Sequence, residues 1–80
     1  MTYYVYAIYS PSLDMIYVGQ TGNLQQRLHD HGKGYSKFTA RANDWVLIYQ
    51  ESLNSRSAAL KREKQLKCYR GRQFLRESID

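Results

Sequence analysis

The stretch from Ile16 to His31 constrains the fold of this chain more than any other, because its hydrophobic period changes within it. A short β-branched and aromatic run ends at Gly19, and Leu24 and Leu28 then follow at the spacing of one helix face. Glycine and polar residues separate the two patterns. We therefore predict a strand that stops at Gly19, a tight turn and a helix.

The predicted helix begins with a capping residue and carries a polar column. Thr21 or Asn23 can accept a hydrogen bond from the free amides of the first helical turn. Asn23, Arg27 and His31 lie four residues apart and share one helix face, and Tyr17 opens towards it from the end of the strand. A guanidinium, an imidazole and a phenol together suit a phosphate. Taken singly, each has an ordinary structural interpretation as a solvated, helix-terminal or core residue.

A β-hairpin is predicted ahead of this helix. Tyr3–Tyr9 contains β-forming residues at nearly every position, which is typical of a strand covered on both faces. Residues 10–14 favour a turn, and Met15–Val18 forms the next strand. The hairpin therefore brings Tyr6 and Tyr17 onto adjacent strands as potential cross-strand neighbours.

The segment after the first helix is basic and aromatic. Residues 31–41 contain two glycines, three cations and two aromatic side chains, which suits a loop that reaches a phosphate backbone. A plain surface connection is the alternative. Trp45–Tyr49 is an apolar run too short for an ordinary helix, and we predict a third strand there, either central or at the second edge of the sheet.

A carboxylate lies on the apolar face of the next predicted helix. Arg56–Lys67 is rich in strong helix formers, and its buried face is marked by Ala59, Leu60 and Leu66. Glu63 lies among them at helical spacing. Because a buried carboxylate needs a charged partner or a metal ion, we favour a functional role for Glu63. The alternative is an exposed ion pair with Lys67, four residues further on.

The last segment completes an α+β domain. Gly71 is expected to stop the preceding helix, and Arg72–Ile79 is predicted to form a short final helix that buries Phe74, Leu75 and Ile79. The element order is β-β-α-β-α-α, which indicates a three-stranded antiparallel sheet flanked by helices.

Size, cysteine content and charge limit the class of protein. The chain has 80 residues, which we interpret as one domain over residues 1–80, and its single cysteine excludes an internal disulfide. We interpret that residue, Cys68, as a small apolar core residue. Because no apolar run resembles a signal or membrane segment, we expect a cytoplasmic protein. The net charge is +5, and eight of the twelve Lys and Arg residues lie between Arg56 and Arg76, which favours nucleic acid as partner over an anionic membrane.

Several short motifs also occur in a characteristic order. They are Tyr4-Val5-Tyr6, Tyr17-Val18-Gly19, Thr21-Gly22-Asn23-Leu24, Arg27 with His31, and the segment 59–63 (ALKRE). Together they resemble the GIY-YIG nuclease domain, with its two tripeptides, its turn and cap, its Arg and His pair and its glutamate segment. Residues 37–39 and 45–51 resemble the loop and third strand of that family, so the resemblance covers nearly the whole chain.

The resemblance implies metal-dependent hydrolysis of DNA phosphodiester bonds with Mg²⁺ or Mn²⁺. It implies a catalytic site made of Tyr6, Tyr17, Arg27, His31 and Glu63. Glu63 would be the only protein ligand of the metal, and Arg27 would stabilise charge on the phosphoryl oxygens. Tyr6 or Tyr17 would orient or deprotonate the attacking water. Since a free phenol has a pKa near 10, deprotonation needs a neighbouring cation or a proton route through His31.

Charge adds a set of candidate DNA contacts, and the departures from the family pattern leave alternatives open. The expected contacts are Lys33, Lys37, Arg41, Lys67 and Arg70. The first tripeptide lacks its glycine, and no Asn follows Glu63, although many family members have one after the glutamate helix. The alternatives to a nuclease are a nucleic-acid-binding module on the same fold and an adaptor for an acidic protein. Neither the DNA structure nor an obligate protein partner is indicated.

Overall fold

The described part of the chain contains six elements, in the order that the sequence predicts. This computed structural model describes residues 2–32 and 41–79, with side chains at residues 2–29 and 41–79. The elements are β1 Tyr3–Ser10, β2 Met15–Thr21, α1 Leu24–Gly32, β3 Val46–Leu53, α2 Arg56–Leu66 and α3 Tyr69–Glu77. The strands form one antiparallel sheet in the order β2-β1-β3, so the predicted α+β class is confirmed.

Strand β1 is the middle of the sheet and the centre of the core. Four consecutive residues, Val5 to Ile8, are buried, as expected for a strand covered on both faces. Strand β3 takes the second edge position and starts at Val46, so Trp45 lies just before it. A cluster of buried side chains joins the sheet to the helices and consists of Val5, Ala7, Val18, Ala59, Leu66 and Leu75.

The helices begin where the sequence provides caps. The Asn23 side-chain oxygen accepts from the Gln26 amide at 3.1 Å, and Ser55 Oγ accepts from the Ala58 amide at 3.2 Å. Helix α2 packs across all three strands, and α3 packs on α2. None of the helices in residues 2–32 and 41–79 is long and apolar enough to cross a membrane.

The predicted stop at Gly71 is wrong, because this glycine lies inside α3, which already begins at Tyr69. A Cβ atom at Gly71 would lie 2.5 Å from the carbonyl oxygen of Gln65 and 2.5 Å from the Cα of Leu66. The residue therefore allows α3 to approach the end of α2 closely. Its function is backbone packing between two helices, which a local sequence pattern does not distinguish from a helix end.

Three predicted core residues lie at the surface instead. Leu60 and Phe74 are each 45% exposed, and Cys68 is an exposed N-cap residue of α3. Leu60 follows the buried Ala59 on a helix, so it is rotated away from the sheet. Phe74 packs only edge-on against the ring of Tyr49, with ring centroids 5.5 Å apart. Leu75 is fully buried, which confirms that part of the prediction.

The hairpin turn between β1 and β2 is bound to α3. Asp14 has a positive φ of 51°, which Asp tolerates better than most residues. Its Oδ1 accepts from the Tyr9 hydroxyl at 2.9 Å and from Arg76 Nη1 at 2.7 Å. These contacts hold the pKa of the Asp14 carboxyl below its usual value, with Arg76 the larger cause. The last turn of α3 is thereby held beside the start of β2.

Candidate active site

Tyr6 and Tyr17 lie on the same face of the sheet, as predicted. Tyr6 pairs with Gly19 and Tyr17 pairs with Ile8, so the two tyrosines are diagonal neighbours across β1 and β2. Their ring centroids are 6.4 Å apart, with a tilt of 40° between the ring planes. Tyr6 has no exposed surface, whereas Tyr17 is half-buried and is therefore the more accessible phenol.

Gly19 creates the space that these rings occupy. The sequence pattern predicts that β2 stops at this glycine, but β2 continues through it to Thr21. A Cβ atom at Gly19 would lie 2.6 Å from the Tyr6 hydroxyl oxygen and 3.2 Å from Cε1 of Tyr17. The glycine is therefore a component of the site that sequence reasoning interpreted only as a strand end. The signal that could have identified this role is its position in the hairpin, opposite Tyr6 on β1 and two residues after Tyr17 on β2.

Helix α1 brings Arg27 to the two phenols. The cap at Asn23 fixes the start of α1, and Arg27 lies one turn later on the face towards the sheet. Its guanidinium donates hydrogen bonds to the hydroxyls of Tyr6 and Tyr17. These bonds raise the pKa of Arg27, the bond to Tyr6 being the larger cause, so the residue is a fixed positive charge. The phenols of Tyr6 and Tyr17 and the guanidinium of Arg27 thus meet from three elements, β1, β2 and α1.

The environment of Tyr6 keeps its hydroxyl protonated. Burial raises the pKa of Tyr6 to about 12, although the hydrogen bond from Arg27 acts in the opposite direction. Electrostatic interactions with Tyr17 and Glu63 raise it further. Arg27 is therefore the neighbouring cation that a phenolic base requires. In this state of the protein, desolvation has the larger effect on the pKa of Tyr6.

Glu63 approaches this cluster from α2. Its side chain is only 18% exposed, and its charge raises the pKa of Tyr6, so it lies within electrostatic range of that phenol. Its Oε2 also pairs with Nζ of Lys67 at 3.2 Å, while the Lys67 side chain is 54% exposed. The carboxylate is therefore largely buried, as its position on the apolar face predicts, and it forms the contact with Lys67 that the alternative interpretation predicts, while its functional role stays a prediction.

Comparison with known proteins identifies this arrangement. The family model described as the GIY-YIG catalytic domain matches residues 2–73. The chain belongs to the GIY-YIG family. Family membership confirms the resemblance seen in the motifs and places the chain among nucleases, which in this family generally use divalent metal ions.

Named relatives of this GIY-YIG chain occur in bacteria and archaea. A UPF0213 protein of Staphylococcus haemolyticus is 36% identical over 76 residues, covering 92% of this chain and 90% of the relative. A UPF0213 protein of Natronomonas pharaonis is 36% identical over 67 residues, covering 81% of this chain and 76% of the relative. The solution structure of a UPF0213 protein from Bacillus halodurans has a TM-score of 0.58 at 24% identity, covering 96% of this chain and 84% of that one, and shows the same fold.

The GIY-YIG site offers a metal ion few protein ligands. Among the side chains described at residues 2–29 and 41–79, no group of three or more His, Cys, Asp or Glu could hold a metal. Glu63 supplies one largely buried carboxylate. Mg²⁺ usually keeps several waters and binds through one or two carboxylates and substrate phosphates. This set of ligands therefore fits an ion that takes its remaining ligands from water and from the substrate.

The remaining predicted site residues differ in what the structure describes. His31 belongs to α1, but its side chain lies outside the described part, and Lys33 and Lys37 lie outside it altogether. Arg41 and Arg70 are both exposed. Lys67, also exposed, is engaged by Glu63. The structure thus brings Tyr6, Tyr17 and Arg27 together with Glu63 within electrostatic range of Tyr6, and the place of the His31 side chain stays a prediction.

Proposed function

We propose that this GIY-YIG protein, acting as a single domain, is a divalent-metal-dependent endonuclease that hydrolyses DNA phosphodiester bonds, guided by DNA structure or by weak sequence preference. The observations that support this are the contacts of Arg27 with Tyr6 and Tyr17 and the largely buried carboxylate of Glu63 within electrostatic range of Tyr6. A binding protein gains nothing from a largely buried carboxylate that faces a polyanion, because the carboxylate repels phosphate unless a cation neutralises it.

Arg27 is proposed to exchange partners when DNA binds. Its planar guanidinium has five donors, of which the two phenols use only part. The remaining donors can take phosphate oxygens, and their positive charge stabilises the negative charge that grows there in the transition state. The same shift of Arg27 towards phosphate would open a path to the enclosed Tyr6 hydroxyl.

The tyrosines are proposed to position the attacking water. A pKa of about 12 leaves Tyr6 protonated at neutral pH, so in the ligand-free protein it can hold water but cannot accept a proton from it. A divalent cation bound at Glu63 supplies positive charge near the reacting phosphate and favours ionisation of the groups beside it. Tyr17, which is the more accessible phenol, contacts incoming solvent first, and His31 is proposed to carry the proton away.

A second candidate is a nucleic-acid-binding module that has kept the fold without the chemistry. The contact between Lys67 and Glu63 favours it, because an ammonium already neutralises the carboxylate that a metal would need. The raised pKa of Tyr6 favours it as well, since a neutral phenol is a poor base. In such a protein the cluster would serve only to hold the sheet and α1 together.

Cleavage assays with matched acid variants distinguish the two candidates. Purified protein is incubated with labelled single-stranded, duplex and branched DNA in Mg²⁺, Mn²⁺ or EDTA. We expect metal-dependent cleavage that Glu63→Gln abolishes, while Glu77→Gln, at an exposed position near the end of α3, leaves it intact. Circular dichroism of both variants controls for folding.

Other outcomes of this assay contradict the proposal. DNA binding without cleavage of any substrate, in both metals, would leave only the binding module. Cleavage that survives Glu63→Gln would remove the carboxylate from the mechanism. An adaptor for an acidic protein would show no affinity for DNA even at low salt.

A further inference from the structure

A cleft of about 240 Å³ lies at the outer edge of the sheet. It adjoins the residues proposed to be catalytic, Tyr6, Tyr17, Arg27 and Glu63, which are called the catalytic cluster below. Its lining consists of Ile16, Tyr17, Val18, Lys67 and Arg72. Side chains alternate between the faces of a strand, so a cleft that touches three consecutive residues lies along the edge of β2. Strand β2 is an edge strand, and the far wall is formed by the junction of α2 and α3.

The cleft is continuous with the catalytic cluster through two shared residues. Tyr17 forms part of its wall and also receives a hydrogen bond from Arg27. Lys67 lines the cleft and also contacts the carboxylate of Glu63 at 3.2 Å. A polynucleotide whose scissile phosphate lies at Arg27 and Glu63 therefore has this cleft as the neighbouring space.

The charge of the cleft favours an anion at one end. Arg72 is exposed, and among the side chains described at residues 2–29 and 41–79 no carboxylate forms an ion pair with it. A second cleft continues past Ile16 and Arg72 to Arg76, but there Asp14 neutralises the guanidinium at 2.7 Å. Arg72 is thus the cation of this cleft that has no carboxylate partner among the described side chains, while Lys67, whose ammonium pairs with Glu63, lies next to the catalytic cluster.

We propose that this cleft is a nucleotide subsite, in which Lys67 and Arg72 bind the phosphate that adjoins the scissile one while the sugar or base packs on Ile16 and Tyr17. The inference rests on the proposed nuclease function and extends it to a residue, Arg72, that the catalytic motifs do not include. The combination of basic side chains with an aromatic and aliphatic wall is the chemistry that holds one nucleotide of a strand.

The salt dependence of DNA binding tests this subsite without any cleavage. Affinity of a fluorescein-labelled oligonucleotide is measured in EDTA across a series of salt concentrations for the wild-type chain, Arg72→Gln and Arg56→Gln. Arg56 begins α2, while Lys67 follows its other end, so about 16 Å of helix separate the control from the cleft. We expect Arg72→Gln to reduce the slope of log affinity against log salt by about 0.7 to 0.9, as for one lost phosphate contact, and Arg56→Gln to leave it unchanged. Equal slopes in all three proteins, or an equal loss in both variants, would overturn the subsite.

A small probe tests the same site directly. Thymidine 3′,5′-bisphosphate carries two phosphates separated by one nucleoside, and its binding is followed by amide chemical shifts in EDTA. We expect shifts at residues 16–18 and 67–72, and an affinity roughly threefold to tenfold lower in Arg72→Gln but not in Arg56→Gln. Absence of these shifts in the wild-type chain would also overturn the subsite. Binding in the cleft without cleavage of any DNA would instead reject only the nuclease function.

Discussion

Gly19 lies directly opposite Tyr6 in the sheet, and a Cβ atom at Gly19 would be 2.6 Å from the Tyr6 hydroxyl oxygen. That distance is too short for any side chain, so the position of the phenol depends on the glycine across the strand pair. Arg27 holds the same hydroxyl from the other side. The orientation of Tyr6 is therefore determined by β2 and α1 together.

Gly19→Ala is expected to destabilise the protein and to reduce cleavage. The added methyl must displace a fully buried phenol, and overpacking of this kind costs about 1–3 kcal/mol. Gly22→Ala is the matched control, because its Cβ would meet only the Tyr3 ring at 3.6 Å, an ordinary contact. Urea unfolding and DNA cleavage are measured for both. A Gly19→Ala variant as stable and active as Gly22→Ala would contradict the packing described here.

The stability of the fold is expected to decrease above pH 10. The unfolded chain loses the Tyr6 proton near pH 10, while the folded chain keeps it until its pKa of about 12. Between these values the folded state binds more protons, so the free energy of unfolding falls as pH rises, by about 2 kcal/mol at most for this residue.

Replacement of single tyrosines isolates that contribution. Tyr6→Phe should reduce the alkaline loss of stability, measured by urea unfolding between pH 9 and 12. Part of the loss should remain, because the pKa values of Tyr9 and Tyr49 are raised too, the first chiefly by its bond to Asp14 and the second chiefly by burial. Tyr69→Phe, at a ring that is 75% exposed, should keep the full loss. Identical pH profiles for Tyr6→Phe and Tyr69→Phe would refute the assignment.

Removal of the Lys67 ammonium is expected to tighten metal binding. Lys67 contacts the carboxylate that is proposed to hold the ion, and exposed ion pairs contribute up to about 1 kcal/mol. Lys67→Met should therefore bind Mn²⁺ roughly twofold to fivefold more tightly, as measured by electron paramagnetic resonance of the free ion. Lys64→Met removes a charge from the same surface without breaking the pair, and it should have a smaller effect. Equal effects of the two substitutions would mean that the overall positive charge of this surface, and not the contact between Lys67 and Glu63, weakens Mn²⁺ binding.

Gly71→Ala is expected to destabilise the protein, although alanine is a better helix former than glycine. The methyl would meet backbone atoms of Gln65 and Leu66 at 2.5 Å, and backbone cannot rotate away as a side chain can. We expect a loss of about 2–3 kcal/mol in the free energy of unfolding. Arg70→Ala, at an exposed position of the same helix, should change it by less than about 0.5 kcal/mol. A gain in stability for Gly71→Ala would support a simple helix-propensity effect instead.

The element order and most of the candidate site follow from local sequence patterns. Alternating or continuous β-formers predict β1 and β2, and a hairpin between them requires Tyr6 and Tyr17 to be close. Helical spacing predicts the side of α1 that carries Arg27 and the side of α2 that carries Glu63. These predictions succeed because each depends on contacts within one element or between neighbours in the chain.

The errors concern features of the folded chain that no local sequence pattern shows. Gly19 and Gly71 are interpreted as breaks, because sequence alone does not show that another residue occupies the space of the missing side chain. The pKa of Tyr6 depends on burial by several elements, which no motif measures. Cys68 is hydrophobic by type, but the start of α3 places it at the surface.

The location of Tyr6 on the middle strand bears on how such a protein can change over evolutionary time. A phenol with no solvent contact contributes to folding as well as to any chemistry. Selection for stability and selection for activity therefore both act against mutations at this position. Glu63 lies on a helix at the margin of the core, so under the proposed function selection acts on it chiefly through activity. A descendant that abandons hydrolysis should therefore discard the acid first, and a surviving tyrosine at this point of the sheet would be a poor marker of a working enzyme.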